Sequence, residues 1–222
     1  KLKEAIATVN KALTEFPDSK LLDRANFQLA QYSFDSGDFK TSATAYGEVV
    51  AKWPDSIFVP HALYGKGWSE QRLGDNKAAI ETFTGLIDGY PDHRLTGSAL
   101  NGRGISRQRN SDYAGGIADF TAYLEKNPDG EDRSDVRYNL GLCQAGAKKF
   151  ADAAATYQSI LKDDPDYAAA DKVLYELGWA LKSLVGMIIL FLAWFFILQQ
   201  LEKEVFDWLR WITRLIDALL AG

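Results

Sequence analysis

Residues 17–55 read PDSKLLDRANFQLAQYSFDSGDFKTSATAYGEVVAKWPD, and this stretch decides the fold because the chain goes on repeating it. Pro17, Pro54, Pro91, Pro128 and Pro165 follow one another at intervals of 37 residues, and each is followed by Asp. Other columns keep the same step. Ala30, Gly67, Gly104, Gly141 and Gly178 form one; Ser42, Ala79, Gly116 and Ala153 form a second; the aromatics Tyr46, Phe83, Phe120 and Tyr157 form a third. A fixed period is the mark of a stacked array rather than of a single-core domain.

Within one period the columns describe a helical hairpin. Small residues on its two helices let the backbones approach, and the aromatic of the second helix fills the space beside them. Ser36-Gly37-Asp38 and Leu73-Gly74-Asp75 supply the turn between helices, since glycine takes the left-handed conformation that ends a helix. Pro-Asp ends the second helix, because proline disfavours helix at the residue before it and has no N–H to donate.

These columns resemble the tetratricopeptide repeat, in its longer variety ending in Pro-Asp-Ser, which looks like the arrays of bacterial cell-envelope proteins. The resemblance implies an all-α fold, a right-handed superhelix (solenoid) of helical hairpins. It divides the chain into a half repeat at 1–22, full repeats at 23–59, 60–96, 97–133 and 134–170, and a last first helix at 171–183. Two columns depart from the family pattern: Lys66 and Arg103 stand where leucine is expected, and the expected tyrosine four residues later is kept nowhere. The family's two-carboxylate clamp for chaperone tails is not carried over, because its lysine and asparagine columns are absent.

Composition narrows the functions. With 47% hydrophobic and 25% charged residues the chain is an ordinary globular one, and a net charge of −5 argues against nucleic acid as a partner. The single cysteine, Cys143, reads as a small buried hydrophobe. Residues 1–20 carry no signal-peptide core. The two histidines, His61 and His93, fall in different parts of the repeat, and no catalytic or metal-binding motif is present, so no enzyme activity, metal or cofactor is expected.

A solenoid of hairpins lines its concave wall with the first helix of each pair, and that wall is the usual binding surface. The candidate groove holds Tyr64, Trp68, Arg72, Asn101, Arg109, Tyr138 and Tyr175, with Phe27 and Trp179 in the same columns. Aromatics edged by basic groups suit an extended peptide. The alternative is that these aromatics pack between the hairpins.

The period breaks after Lys182. Leu184–Leu198, LVGMIILFLAWFFIL, is fifteen residues without a charge, and a helix of this composition needs covering on every side. A second spacing runs through it: Met187, Phe191, Trp194, Leu198, Leu201, Val205, Trp208, Ile212, Leu215 and Leu219 alternate steps of four and three, a heptad seam. Residues 184–222 are therefore expected to form one long hydrophobic helix, joined to the array at an engineered junction near Ser183. The leading expectation is self-association of this helix into a homo-oligomer, most simply a two-fold dimer, or docking on a partner. A membrane anchor is the second reading, although fifteen residues rise only about 22 Å against a hydrocarbon core of about 30 Å. A third is epitope display, since Trp194-Phe195-Phe196-Ile197 with Leu201 resembles the WFxI…L portion of the membrane-proximal region of the HIV envelope transmembrane subunit.

Overall fold

The computed structural model describes residues 2–220, and the side chains of these apart from Thr213 and 215–220. Among the described residues every regular element is an α-helix. They run α1 (Leu2–Glu15), α2 (Leu22–Asp35), α3 (Phe39–Lys52), α4 (Val59–Arg72), α5 (Asn76–Gly89), α6 (Leu95–Arg109), α7 (Tyr113–Lys126), α8 (Arg133–Gly146), α9 (Phe150–Asp163) and α10 (Ala170–Leu220). Each packs on its neighbours in sequence, so α2–α3, α4–α5, α6–α7 and α8–α9 are the hairpins of a solenoid.

The boundaries follow from the residues that punctuate the repeat. Asp38, Asp75 and Asp112 stand before α3, α5 and α7, and each carboxylate accepts a hydrogen bond at 3.0 Å from a backbone N–H in the first turn, those of Thr41, Ala78 and Gly115. Gly37 and Gly74 take positive φ, 83° and 84°, at the tips of the first two hairpins. At the other ends, α3, α5, α7 and α9 stop two residues short of Pro54, Pro91, Pro128 and Pro165, with the intervening Trp53, Tyr90, Asn127 and Asp164 out of helical conformation.

The core is a row of aromatics, each wedged between successive first helices. Phe83 is fully buried. A Cβ added to Gly67 of its own hairpin would fall 2.7 Å from its ring, and one added to Gly102 of the next hairpin 2.6 Å. Phe120 stands at 2.8 Å from the same construction on Gly104, and Tyr157 blocks Gly141 in the same way. The glycine column is therefore a set of sockets, and the aromatic column fills them.

The last member of that column differs. At Gly178 no atom comes within 4 Å of an added Cβ, because α10 supplies no returning helix. Val173 and Ala180 are buried against α9, and past them the helix runs on alone through the expected junction near Ser183.

Candidate functional site

Two surfaces are candidates, and the structure treats them differently. In the groove, Tyr64 and Trp68 are half-buried and turn toward the hairpin interior. Their ring centroids lie 6.3 and 5.8 Å from that of Phe83, edge to face, and 6.1 Å from each other. Tyr138 is half-buried with its ring 6.2 Å from Tyr157, and Phe27 stacks on Phe58 at 5.1 Å. Much of the aromatic surface in these columns thus packs against the hairpins. Asn101 is partly buried, and its Oδ1 has no hydrogen-bond partner. Arg72 is exposed, with its guanidinium 5.0 Å over the ring of Phe39 in the neighbouring hairpin. Arg109 is exposed near a hairpin tip, and Tyr175, on α10, is 71% exposed.

The structure also joins residues that the sequence kept apart. His61 and His93 bring their ring centroids to 5.1 Å, and the Arg94 guanidinium lies 3.1 Å from His61 Nε2. Burial holds His61 below the ordinary histidine range, and the neighbouring His93 and Arg94 push in the same direction. Among the described residues, no three His, Cys, Asp or Glu side chains are placed to hold a metal ion. Cys143 is buried in the α7–α8 core, and burial pushes its thiol up to about 12. A thiol so placed is a poor nucleophile.

The unexplained columns of the sequence resolve into ion pairs inside the hairpins. Lys66 meets Glu70 at 2.7 Å and donates to Thr82 at 2.9 Å. Arg103 grips Asp119 through Nε and a terminal nitrogen, the shortest contact 2.7 Å, and Arg107 reaches the other carboxylate oxygen at 2.8 Å. Gln144 accepts from Thr156 at 2.8 Å. Cations and polar groups here replace the expected leucine and tyrosine contacts.

The second surface is α10. Among the seam residues Met187, Phe191, Trp194, Leu198, Leu201, Val205 and Trp208 are all exposed, and Ile212 is partly so; the side chains of Leu215 and Leu219 lie outside the described residues. The side away from the seam is equally bare. At 100° per residue, Ile189, Leu192 and Phe196 fall opposite Met187, Phe191, Trp194 and Leu198, and they are 59%, 47% and 65% exposed. The uncharged stretch is also longer than its most apolar part: between Lys182 and Glu202 lie nineteen residues, Ser183–Leu201, without a charge. The helix containing them has an 18-residue window with mean hydropathy 2.4, none of it buried.

A family model described as Tetratricopeptide repeat matches residues 27–94 and 101–168. No curated protein matches significantly. Among solved structures, a tetratricopeptide repeat protein from Parabacteroides merdae superposes with a TM-score of 0.67 at 15% identity, over 85% of this chain and 73% of that one. The repeats of a putative kinesin light chain from Podosopora anserina give 0.63 at 10% identity, over 76% and 90%. YrrB, described as having an unusual peptide-binding site, gives 0.60 at 16% identity, over 78% and 81%. At such identities the likeness is one of fold.

Proposed function

Because the chain belongs to the tetratricopeptide repeat family, we propose that it is a non-catalytic protein-interaction scaffold held at a membrane by helix α10. The carrying observation is that apolar surface encircles α10 from Leu184 to Leu198 and is exposed along nearly all of it. A second copy laid along the seam would cover Met187, Phe191, Trp194 and Leu198 and leave Ile189, Leu192 and Phe196 in water. Each such side chain forfeits about 1.5–3 kcal/mol when left exposed. Lipid covers all sides at once. Ser183–Leu201 rises about 28 Å as a helix, close to a hydrocarbon core of about 30 Å, and charges return at both ends with Lys182 and Glu202. In this reading the array is the working part, offering its concave wall to a peptide or protein.

Self-association through the seam is the second reading, and one observation favours it. The seam continues the face on which Val173 and Ala180 already pack against α9. From Leu201 onward it is also backed by charges, Glu202, Lys203, Glu204, Asp207 and Arg210. That half of the helix could pair outside the bilayer without disturbing the anchor.

Flotation of the full chain with phospholipid vesicles, together with light scattering in plain buffer and in detergent, separates the readings. The anchor reading expects flotation that survives high salt and is lost on Leu192→Lys, since a lysine at the middle of a span costs about 2.5–3.5 kcal/mol. A discrete soluble oligomer that ignores vesicles and dissociates on Trp208→Glu would overturn it in favour of self-association.

A further inference from the structure

The four hairpin tips are not alike. In the first three, the second helix opens on Asp38, Asp75 or Asp112, whose carboxylates cap it. The residue before is Gly37, Gly74 or Ser111, with φ of 83°, 84° and 61°. In the fourth tip the same two places hold Lys148 and Lys149. Lys148 carries a long side chain into the left-handed region at φ 61°, which only glycine enters without penalty. Lys149 makes no side-chain capping bond, and its charge stands at the positive end of the α9 dipole, where an anion is favoured. Two local rules are broken at one tip, and sites that break local rules are where function is to be looked for.

The position of this tip gives the break a meaning. Phe150, which follows Lys149, has its ring centroid 5.5 Å from that of Trp179, so the tip lies beside α10 near the point where the helix leaves the array. Lys182 follows Trp179 by about one turn of that helix. Lys148, Lys149 and Lys182 are all exposed, and none forms an ion pair among the described residues. At the opposite edge of the array, each Pro-Asp turn contributes an acid: Asp18, Asp55, Asp92, Asp129 and Asp166. Positive charge thus gathers at the last tip, where the uncharged segment of α10 begins, whereas the three earlier tips on the same edge carry the capping acids Asp38, Asp75 and Asp112.

Resting on the membrane reading above, we propose that Lys148, Lys149 and Lys182 contact the headgroups of anionic phospholipids and hold the last hairpin against the bilayer surface that α10 enters. Juxtamembrane cations of this kind are attracted by acidic leaflets within a screening length of the surface.

The test uses the full chain carrying Ala147→Cys, labelled at that thiol with a donor dye; the buried Cys143 does not react. Energy transfer to an acceptor on lipid headgroups is read in vesicles of phosphatidylcholine alone and in vesicles containing phosphatidylserine. Transfer is expected to be higher with phosphatidylserine, and the difference to vanish in about 1 M salt, where the screening length is about 3 Å. It is also expected to vanish in Lys148→Gly/Lys149→Asp, which gives the last tip the sequence of the first two and so is expected to melt no lower than the parent. Equal transfer in both vesicle types, with flotation intact, overturns the contact and leaves the anchor standing. Failure to float with either vesicle type overturns the anchor and the contact with it.

Discussion

Gly104 and Gly178 occupy the same column and have opposite surroundings, which makes them a controlled pair. A methyl group at Gly104 would sit 2.8 Å from the buried Phe120 ring, whereas at Gly178 it meets nothing within 4 Å. Gly104→Ala is therefore expected to destabilise the array by about 1–3 kcal/mol through overpacking. Gly178→Ala is expected to gain up to about 1 kcal/mol from helix propensity. Urea denaturation of the two variants checks both signs, and equal effects would mean that the socket at Gly104 yields. His61 gives a residue-scale prediction in pH. Its folded pKa lies below the value of about 6.5 it takes in an unfolded chain. The unfolded state therefore binds the proton more readily. Its contribution is fully present above pH of about 6.5 and is lost as the pH falls toward the folded value. Comparing melting temperatures of the parent and His61→Gln from pH 8 to pH 5 is expected to show a steeper acid loss in the parent.

Among the elements, the helices and their ends were legible from single residues. Glycine or aspartate at a tip and proline after a stop act through the local backbone, and the structure puts turns at these places. The Arg103–Asp119–Arg107 network was not, because it joins two helices of one hairpin and neither side has a pattern of its own, whereas Lys66 and Glu70 pair within α4 at the ordinary i,i+4 spacing. A signal did exist: where Lys66 or Arg103 replaces leucine, the residue before the column aromatic is Thr82 or Asp119, while Leu29 faces Ala45 in that place. The His61–His93 contact was hidden for a different reason. Residues about one period apart become neighbours when hairpins stack, as Ser56 with Asp23 and Arg94 with His61 also show. In the groove, the columns were found while the direction of Tyr64 and Trp68 was not, since an aromatic on a first helix serves packing and binding alike. Asp119 is the element-scale test. It is 2% exposed and holds two arginines, so Asp119→Ala takes the carboxylate from Arg103, whose side chain is 12% exposed, and weakens the pairing of Arg107. The expected loss is about 3 kcal/mol, near the lower end for breaking a buried pair, because Arg107 is partly solvated and keeps Asp112 at 3.5 Å. Chemical denaturation measures it, and a loss below about 1 kcal/mol would place the network with surface ion pairs.

On the scale of the whole molecule, α10 joins the array to its apolar shaft with no loop between them. It is continuous over 51 residues, and its first turns are fixed by Val173 and Ala180 against α9. A tether made of flexible linker leaves a domain free to turn, whereas this connection transmits rotation. In the proposed anchored state the direction in which the concave wall opens, measured around the membrane normal, would be set by the helical phase at Ser183. One alanine inserted after Ser183 would turn the array about 100° relative to the embedded residues, and seven would return it to within about 20° of its start. Partner engagement that depends on facing along the bilayer is then expected to vary periodically with insert length, like the alignment of two gears on one axle.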